Sequence, residues 1–265
     1  MKEITRKEAI TLAIFQGQFT SEALGGLQTG IHVIQPEHFQ QKERRVMYLL
    51  HGMTDNETTW TRRSAVERYA DTYGFTVIMP NVDTSFYSNM KYGKAYWTYV
   101  SEELPKAVET FFGIKPNPAS TYVAGLSMGG YGAFKLALNQ PERFVAAASF
   151  SGALDAAGLY APEGQNDQRK QIMYANFGEN PDFTTFGGDL FHLATEHKEN
   201  ARTLPELYQY CGTEDFLYDM NIAFRDHLKQ LNYLTHYEES PAPHTWDYWD
   251  YCIEDFMKRV VETKE

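Results

Sequence analysis

Apolar positions fall into short runs separated by longer amphipathic stretches, and the rhythm changes along the chain. Two β-like stretches, residues 9–16 and 30–35, come first. The Gly-containing SEALGG lies between them, which predicts antiparallel strands at one edge of a sheet. From Val46 the pattern becomes apolar run, turn, helix. Residues 46–50 end in His51-Gly52 and precede a helical stretch over 58–73, and residues 75–79 stop at Pro80-Asn81. A helix is expected over 97–112. Residues 121–124 lead into GLSMGG and a helix to Asn139, and residues 144–150 form the fourth run. Short continuous apolar runs alternating with helices predict βαβ units and a mostly parallel sheet buried on both faces. The segment 152–203 breaks the rhythm. It contains FGENPDFTTFGGD and reads as an irregular, cap-like excursion. Strands are expected again at 206–210 and 233–238, with helices at 218–231 and 246–261.

Composition narrows this to one α/β domain over residues 1–265, without repeats or low-complexity tracts. A net charge of −11 disfavours nucleic acid and anionic membrane surfaces, both of which need clustered Lys and Arg. Two cysteines, Cys211 and Cys252, cannot build a disulfide framework or a four-thiolate metal site, and are expected as free thiols. The N-terminal MKEITRKEAITLAIFQGQF lacks a signal-peptide apolar run, and no stretch reaches the roughly 18 apolar residues of a membrane span. A cytoplasmic protein is therefore expected, with a homo-oligomer left open. No metal or organic cofactor is implied, because the sequence shows neither a ligand cluster nor a nucleotide loop.

The chemistry is concentrated in Gly125-Leu126-Ser127-Met128-Gly129. This G-x-S-x-G is preceded by the strand-like TYVA and followed by the helix-forming YGAFKLAL. The bare motif is only moderately specific, and its strand–turn–helix setting is what marks a nucleophile elbow. An abrupt turn strains the serine backbone, and side chains two residues to either side would collide, hence the glycines. The helix start beyond it favours developing negative charge.

A serine hydroxyl needs a base. Of eight histidines, His244 lies in SPAPHTWDYW, between the last strand and the last helix, at the sheet edge that also presents Ser127. His236 lies within a strand and reads as structural, and His192 and His197 read as surface residues of the excursion. Asp215 follows ELYQYC through the turn GTED and would orient the imidazole, with Glu214 and Asp219 as rivals. The chain order Ser, Asp, His is that of α/β-hydrolases. Two oxyanion donors are required. They are expected from the amide of Met128 and from the His51-Gly52-Met53 loop, the Met53 amide first and Gly52 second, with His51 bracing the loop. Phe86, Tyr87, Tyr92 and Trp97 are candidate walls of a substrate pocket.

With those residues in hand, the chain resembles the esterase D-like branch of the α/β-hydrolases, and within it the bacterial tributyrin esterases. The stretches that carry the likeness are LLHGMTDNETTW, ELPKAVETFF, AGLSMGGYGAFKLAL, SFSGAL, CGTEDFLY and HTWDYW. The resemblance implies an α/β-hydrolase fold and a serine carboxylesterase for short-chain acyl esters. It also implies a triad of Ser127, Asp215 and His244, and oxyanion donors at Met53 and Met128. The same branch holds feruloyl and acetylxylan esterases and S-formylglutathione hydrolases. The last group usually carries a cysteine shortly after the oxyanion glycine, where this chain has Thr54-Asp55-Asn56. A small-molecule ester is the partner these readings share.

Overall fold

The structure, a computed structural model, describes residues 12–36, 44–115, 117–160, 167–200 and 202–263. Its strands are β1 (Leu12–Ser21), β2 (Leu27–Pro36), β3 (Arg45–Leu50), β4 (Phe75–Pro80), β5 (Thr121–Leu126), β6 (Ala146–Phe150), β7 (Glu206–Gly212) and β8 (Thr235–Ser240). They form one eight-stranded sheet in the order β1-β2-β4-β3-β5-β6-β7-β8. The pairings β1–β2 and β2–β4 are antiparallel, and all the others are parallel. This is the α/β-hydrolase fold. The first expected strand reached back to residue 9. Residues 9–11 lie outside the described residues, and the strand continues to Ser21, well past the expected end.

The helices are α1 (Thr59–Arg63), α2 (Val66–Tyr73), α3 (Tyr96–Thr98), α4 (Leu104–Phe112), α5 (Met128–Asn139), α6 (Ala156–Tyr160), α7 (Asp167–Phe177), α8 (Leu190–Glu199), α9 (Tyr218–Gln230) and α10 (Trp246–Glu262). Every residue of β4, β5 and β6 is buried, as continuous apolar strands covered on both faces should be. One core packs the sheet against residues such as Val108, Phe134 and Phe224. The other packs the opposite face against Tyr69, Ile253 and Phe256. In α10 the buried positions Tyr248, Trp249, Cys252, Ile253, Phe256, Met257 and Val260 follow helical spacing, which fixes the face it turns to the sheet.

Three local expectations change. The helix expected over 58–73 breaks between α1 and α2, where Ser64 Oγ donates to the Trp60 carbonyl (2.6 Å) and Ala65 N–H donates to Asp250 Oδ1 (2.7 Å). The helix expected over 97–112 passes through a π turn at Tyr99–Glu103. Pro105 has no N–H to offer the Ser101 carbonyl, and Arg143 Nη1 donates to that oxygen instead (2.7 Å). The segment 152–203, expected to be irregular, contains α6, α7 and α8. The apolar residues of α7 do not fall on one stripe, so periodicity could not announce it.

Candidate active site

Ser127 caps α5 directly after β5, with φ 53° and ψ −117°, a region that non-glycine residues seldom occupy. Such strain costs on the order of 1–3 kcal/mol and persists only where the surroundings dictate it. Here they do. Ser127 N–H donates to the Phe150 carbonyl (2.9 Å), and its own carbonyl accepts from Tyr131 (3.1 Å) and Ala153 (3.0 Å). A Cβ on Gly125 would strike the Gly129 backbone, and one on Gly129 would strike the carbonyls of Leu50 and His51. Both glycines are therefore set by close approach of the main chain.

His244 Nδ1 lies 2.7 Å from Asp215 Oδ2. The Asp215 carboxylate is fully buried, and its other oxygen accepts from Leu217 N–H (2.9 Å). The turn that carries Asp215 is tied to the loop that carries His244, because Thr213 N–H donates to the Ser240 carbonyl and Glu214 N–H to the Ala242 carbonyl. A proton on Nδ1, held by the carboxylate, leaves the Nε2 lone pair available. The imidazole is packed between the Phe216 ring (4.6 Å) and the Trp249 ring, which meets it edge-on (4.7 Å). Glu214 and Asp219 are exposed, and neither is within bonding distance of the imidazole.

The oxyanion loop is built from below. His51 is fully buried, and burial pushes its imidazole down to about 4, so it is neutral. Its Nδ1 donates to the Gly52 carbonyl (2.7 Å), its Nε2 accepts from Val82 N–H (3.0 Å), and its carbonyl accepts from the Tyr87 hydroxyl (2.9 Å). Gly52 N–H donates to Asp55 Oδ2 (3.2 Å), and burial raises that carboxyl above its ordinary value. Among the described residues nothing accepts from the amides of Met53 and Met128. The geometry thus leaves those two donors available and engages the second choice, Gly52.

One cavity of about 570 Å³ gathers Ser127, His244, Gly52, Met53, Met128 and Phe86 on its walls. Three of the candidate wall residues lie elsewhere. Tyr87 is wholly buried beneath the loop it braces, and Tyr92 is 58 % exposed and stacked on Tyr174 (5.3 Å). Trp97 covers the ammonium of Lys135 at 4.9 Å. In their place the walls are Trp246, Trp249, Phe216, Leu217 and, from the excursion, Met173 and Arg169. The first four flank His244 and Asp215 in sequence, a signal that could have been used. The residues of α7 gave none. His236 stacks on Tyr208 (4.2 Å), a structural position as expected, whereas His197 is buried rather than on the surface, its Nε2 bonded to the Leu138 carbonyl. Cys211 and Cys252 are free and buried, and burial pushes both thiols up. Among the described residues no helix is long and apolar enough to cross a membrane.

Known proteins resemble this chain over most of its length. The family model Esterase, described as "Putative esterase", matches residues 21–257. An acetyl esterase of Caldicellulosiruptor saccharolyticus is 28% identical over 268 residues, 95% of this chain and 100% of that one. Among solved structures, the substrate-bound fluorophosphonate-binding serine hydrolase FphF of Staphylococcus aureus superposes with a TM-score of 0.85. It is 32% identical, with 95% of this chain and 99% of that chain covered. The S-formylglutathione hydrolase FrmB of the same organism, as apoenzyme, is also 32% identical. Its TM-score is 0.81, with 94% and 99% covered.

Proposed function

The chain belongs to the Esterase family and is a carboxylic ester hydrolase, and on that premise we propose that it cleaves short-chain acyl esters through an acyl-enzyme on Ser127. The observation that carries this reading is the 2.7 Å contact of His244 Nδ1 with a buried Asp215 carboxylate, the imidazole and Ser127 lining the same apolar-walled cavity. Ser127 Oγ attacks the ester carbonyl and its proton passes to His244 Nε2. The tetrahedral oxyanion accepts from the amides of Met53 and Met128. The imidazolium, stabilised by Asp215, protonates the departing alcohol. Water then gives its proton to the same nitrogen as it attacks the acyl-enzyme, and the acid leaves as Ser127 is reprotonated. The likeness to tributyrin esterases in sequence motifs and to an acetyl esterase over 95% of the chain supports short acyl groups.

A thioester reading has one observation in its favour, the 32% identity to a protein named as an S-formylglutathione hydrolase. Against it stands Thr54-Asp55-Asn56 where that group usually has a cysteine, with Asp55 bonded to the oxyanion loop. A feruloyl or acetyl-xylan type of esterase is the plant-ester alternative, supported by aromatic walls at Phe86, Phe216, Trp246 and Trp249. Rates on p-nitrophenyl esters from acetate to octanoate, beside methyl ferulate and S-formylglutathione, separate the three. The expected result is a maximum at acetate to butyrate that Ser127→Ala lowers by at least about 10⁴-fold. A preference for ferulate or for the thioester would replace the short-chain reading.

A further inference from the structure

β1 is an edge strand of the sheet. It pairs with β2 on one side and with no strand among the described residues on the other. Edge strands are ordinarily protected from further pairing by charge, proline or a bulge. β1 has none of these. Its sequence, LAIFQGQFTS, is uncharged in a chain where 22% of residues carry charge, and its ten residues pair with β2 in unbroken register.

The same edge exposes large apolar groups. Ile14 and Phe15 are each 44 % exposed, and Phe111 of α4 is 57 % exposed. Phe15 meets Phe112, and Phe19 meets Phe111, both at 5.6 Å between ring centres, so the strand and α4 share one aromatic surface patch. Patches of this kind on soluble proteins mark interaction sites.

Two features point to a second copy of this chain as the occupant. The segment Phe15-Gln16-Gly17-Gln18-Phe19 reads identically in both directions. Antiparallel pairing across a two-fold axis at Gly17 therefore sets Phe15 against the partner's Phe19, Gln16 against the partner's Gln18, and Gly17 against the partner's Gly17. Aromatic and amide pairs opposite one another stabilise such a ladder, and an isologous interface must be self-complementary in this sense. With no charge on the strand, two chains of net charge −11 can meet here without opposing like charges. The second feature is Gly17 itself. Its φ is not positive, and among the described residues nothing lies within 4 Å of where its Cβ would be, so their packing does not call for glycine. Glycine inside a strand weakens it, and commonly marks the close approach of another backbone.

We propose that β1 is a homodimer interface, in which two copies join their sheets edge to edge, antiparallel, about a two-fold axis at Gly17. Main-chain hydrogen bonds supply the affinity, and the palindrome supplies the register.

Sedimentation equilibrium, with circular dichroism as a check on folding, tests this through paired charges at the two exposed glutamines. The native chain is expected at twice its 30.5 kDa mass. Gln16→Lys with Gln18→Lys sets lysine against lysine on both sides of the axis, and is expected to weaken the dimer at least about ten-fold. Gln16→Lys with Gln18→Glu sets lysine against glutamate on both sides, and is expected to restore it. A native chain that stays monomeric at roughly 100 µM overturns the proposal, whatever then covers the edge. So does a dimer indifferent to both variants, or one that both variants dissociate equally, because the two-fold register requires them to differ.

Discussion

At the residue scale, the groups that matter most are those whose ionisation or backbone the fold constrains. Ser127 was legible because its strain is written into the sequence as two flanking glycines. Asp215 was legible only as one of three acids in a short turn. What separates it from Glu214 and Asp219 is burial, which a sequence does not display. Lys135 was not legible at all. It sits on α5 amid apolar residues, wholly buried, and its ammonium donates to the Tyr87 carbonyl (3.1 Å) and Ser88 Oγ (2.7 Å), with no carboxylate among the described residues as partner. Burial pushes it down to about 7. Between that value and the ordinary lysine value near 10.4, the unfolded chain binds a proton that the folded chain does not, so stability must rise with pH across this window. Below pH 7 both states hold the proton, and the fold bears the full cost of burying the charge. Lys135→Met removes this dependence. Chemical denaturation of both proteins from pH 6 to 10 should show the native chain gaining on the variant above pH 7, by at most about 1.4 kcal/mol per pH unit. Parallel stability curves would mean that the amine is not buried in this way.

At the scale of elements, the sheet and most of its helices could be read from periodicity, because continuous apolar runs and amphipathic helices each have one solution in an α/β layer. The reading failed where tertiary contacts decide. The 58–73 helix breaks because Asp250, far along the chain in α10, takes the Ala65 amide. The 97–112 helix passes through a π turn because Arg143 can serve the carbonyl that Pro105 abandons. The excursion was recognised as a break in the rhythm, but its helices were not, and with them went part of the pocket. Met173 of α7 is 1 % exposed and forms part of the cavity wall. If it limits the acyl group, Met173→Ala should raise the octanoate-to-butyrate ratio of kcat/KM by about ten-fold or more, at a stability cost of about 2–5 kcal/mol. An unchanged ratio would assign the acyl group to another wall.

For the whole molecule, the sheet brings together four loops distant in sequence: the one after β3, the elbow after β5 and the paired loops after β7 and β8. Their carboxyl-end position and the chain order point to Ser127 and His244 as nucleophile and base, and narrow the acid to the stretch after β7. The surface was less predictable. Net charge of −11 says nothing of where charge is missing; an edge position is expected from the sequence for the first strands, but the run of β1 to Ser21 and its place at the end of the sheet order come from the structure. At the centre of the proposed activity is a covalent acyl-enzyme on Ser127. Intact mass and peptide mapping after treatment with a fluorophosphonate test it most directly. One adduct per chain is expected, on the peptide that contains Ser127, absent in Ser127→Ala and much slower to form in His244→Ala. Adduct on a different residue, or undiminished ester turnover by chains whose Ser127 carries the adduct, would overturn this reading.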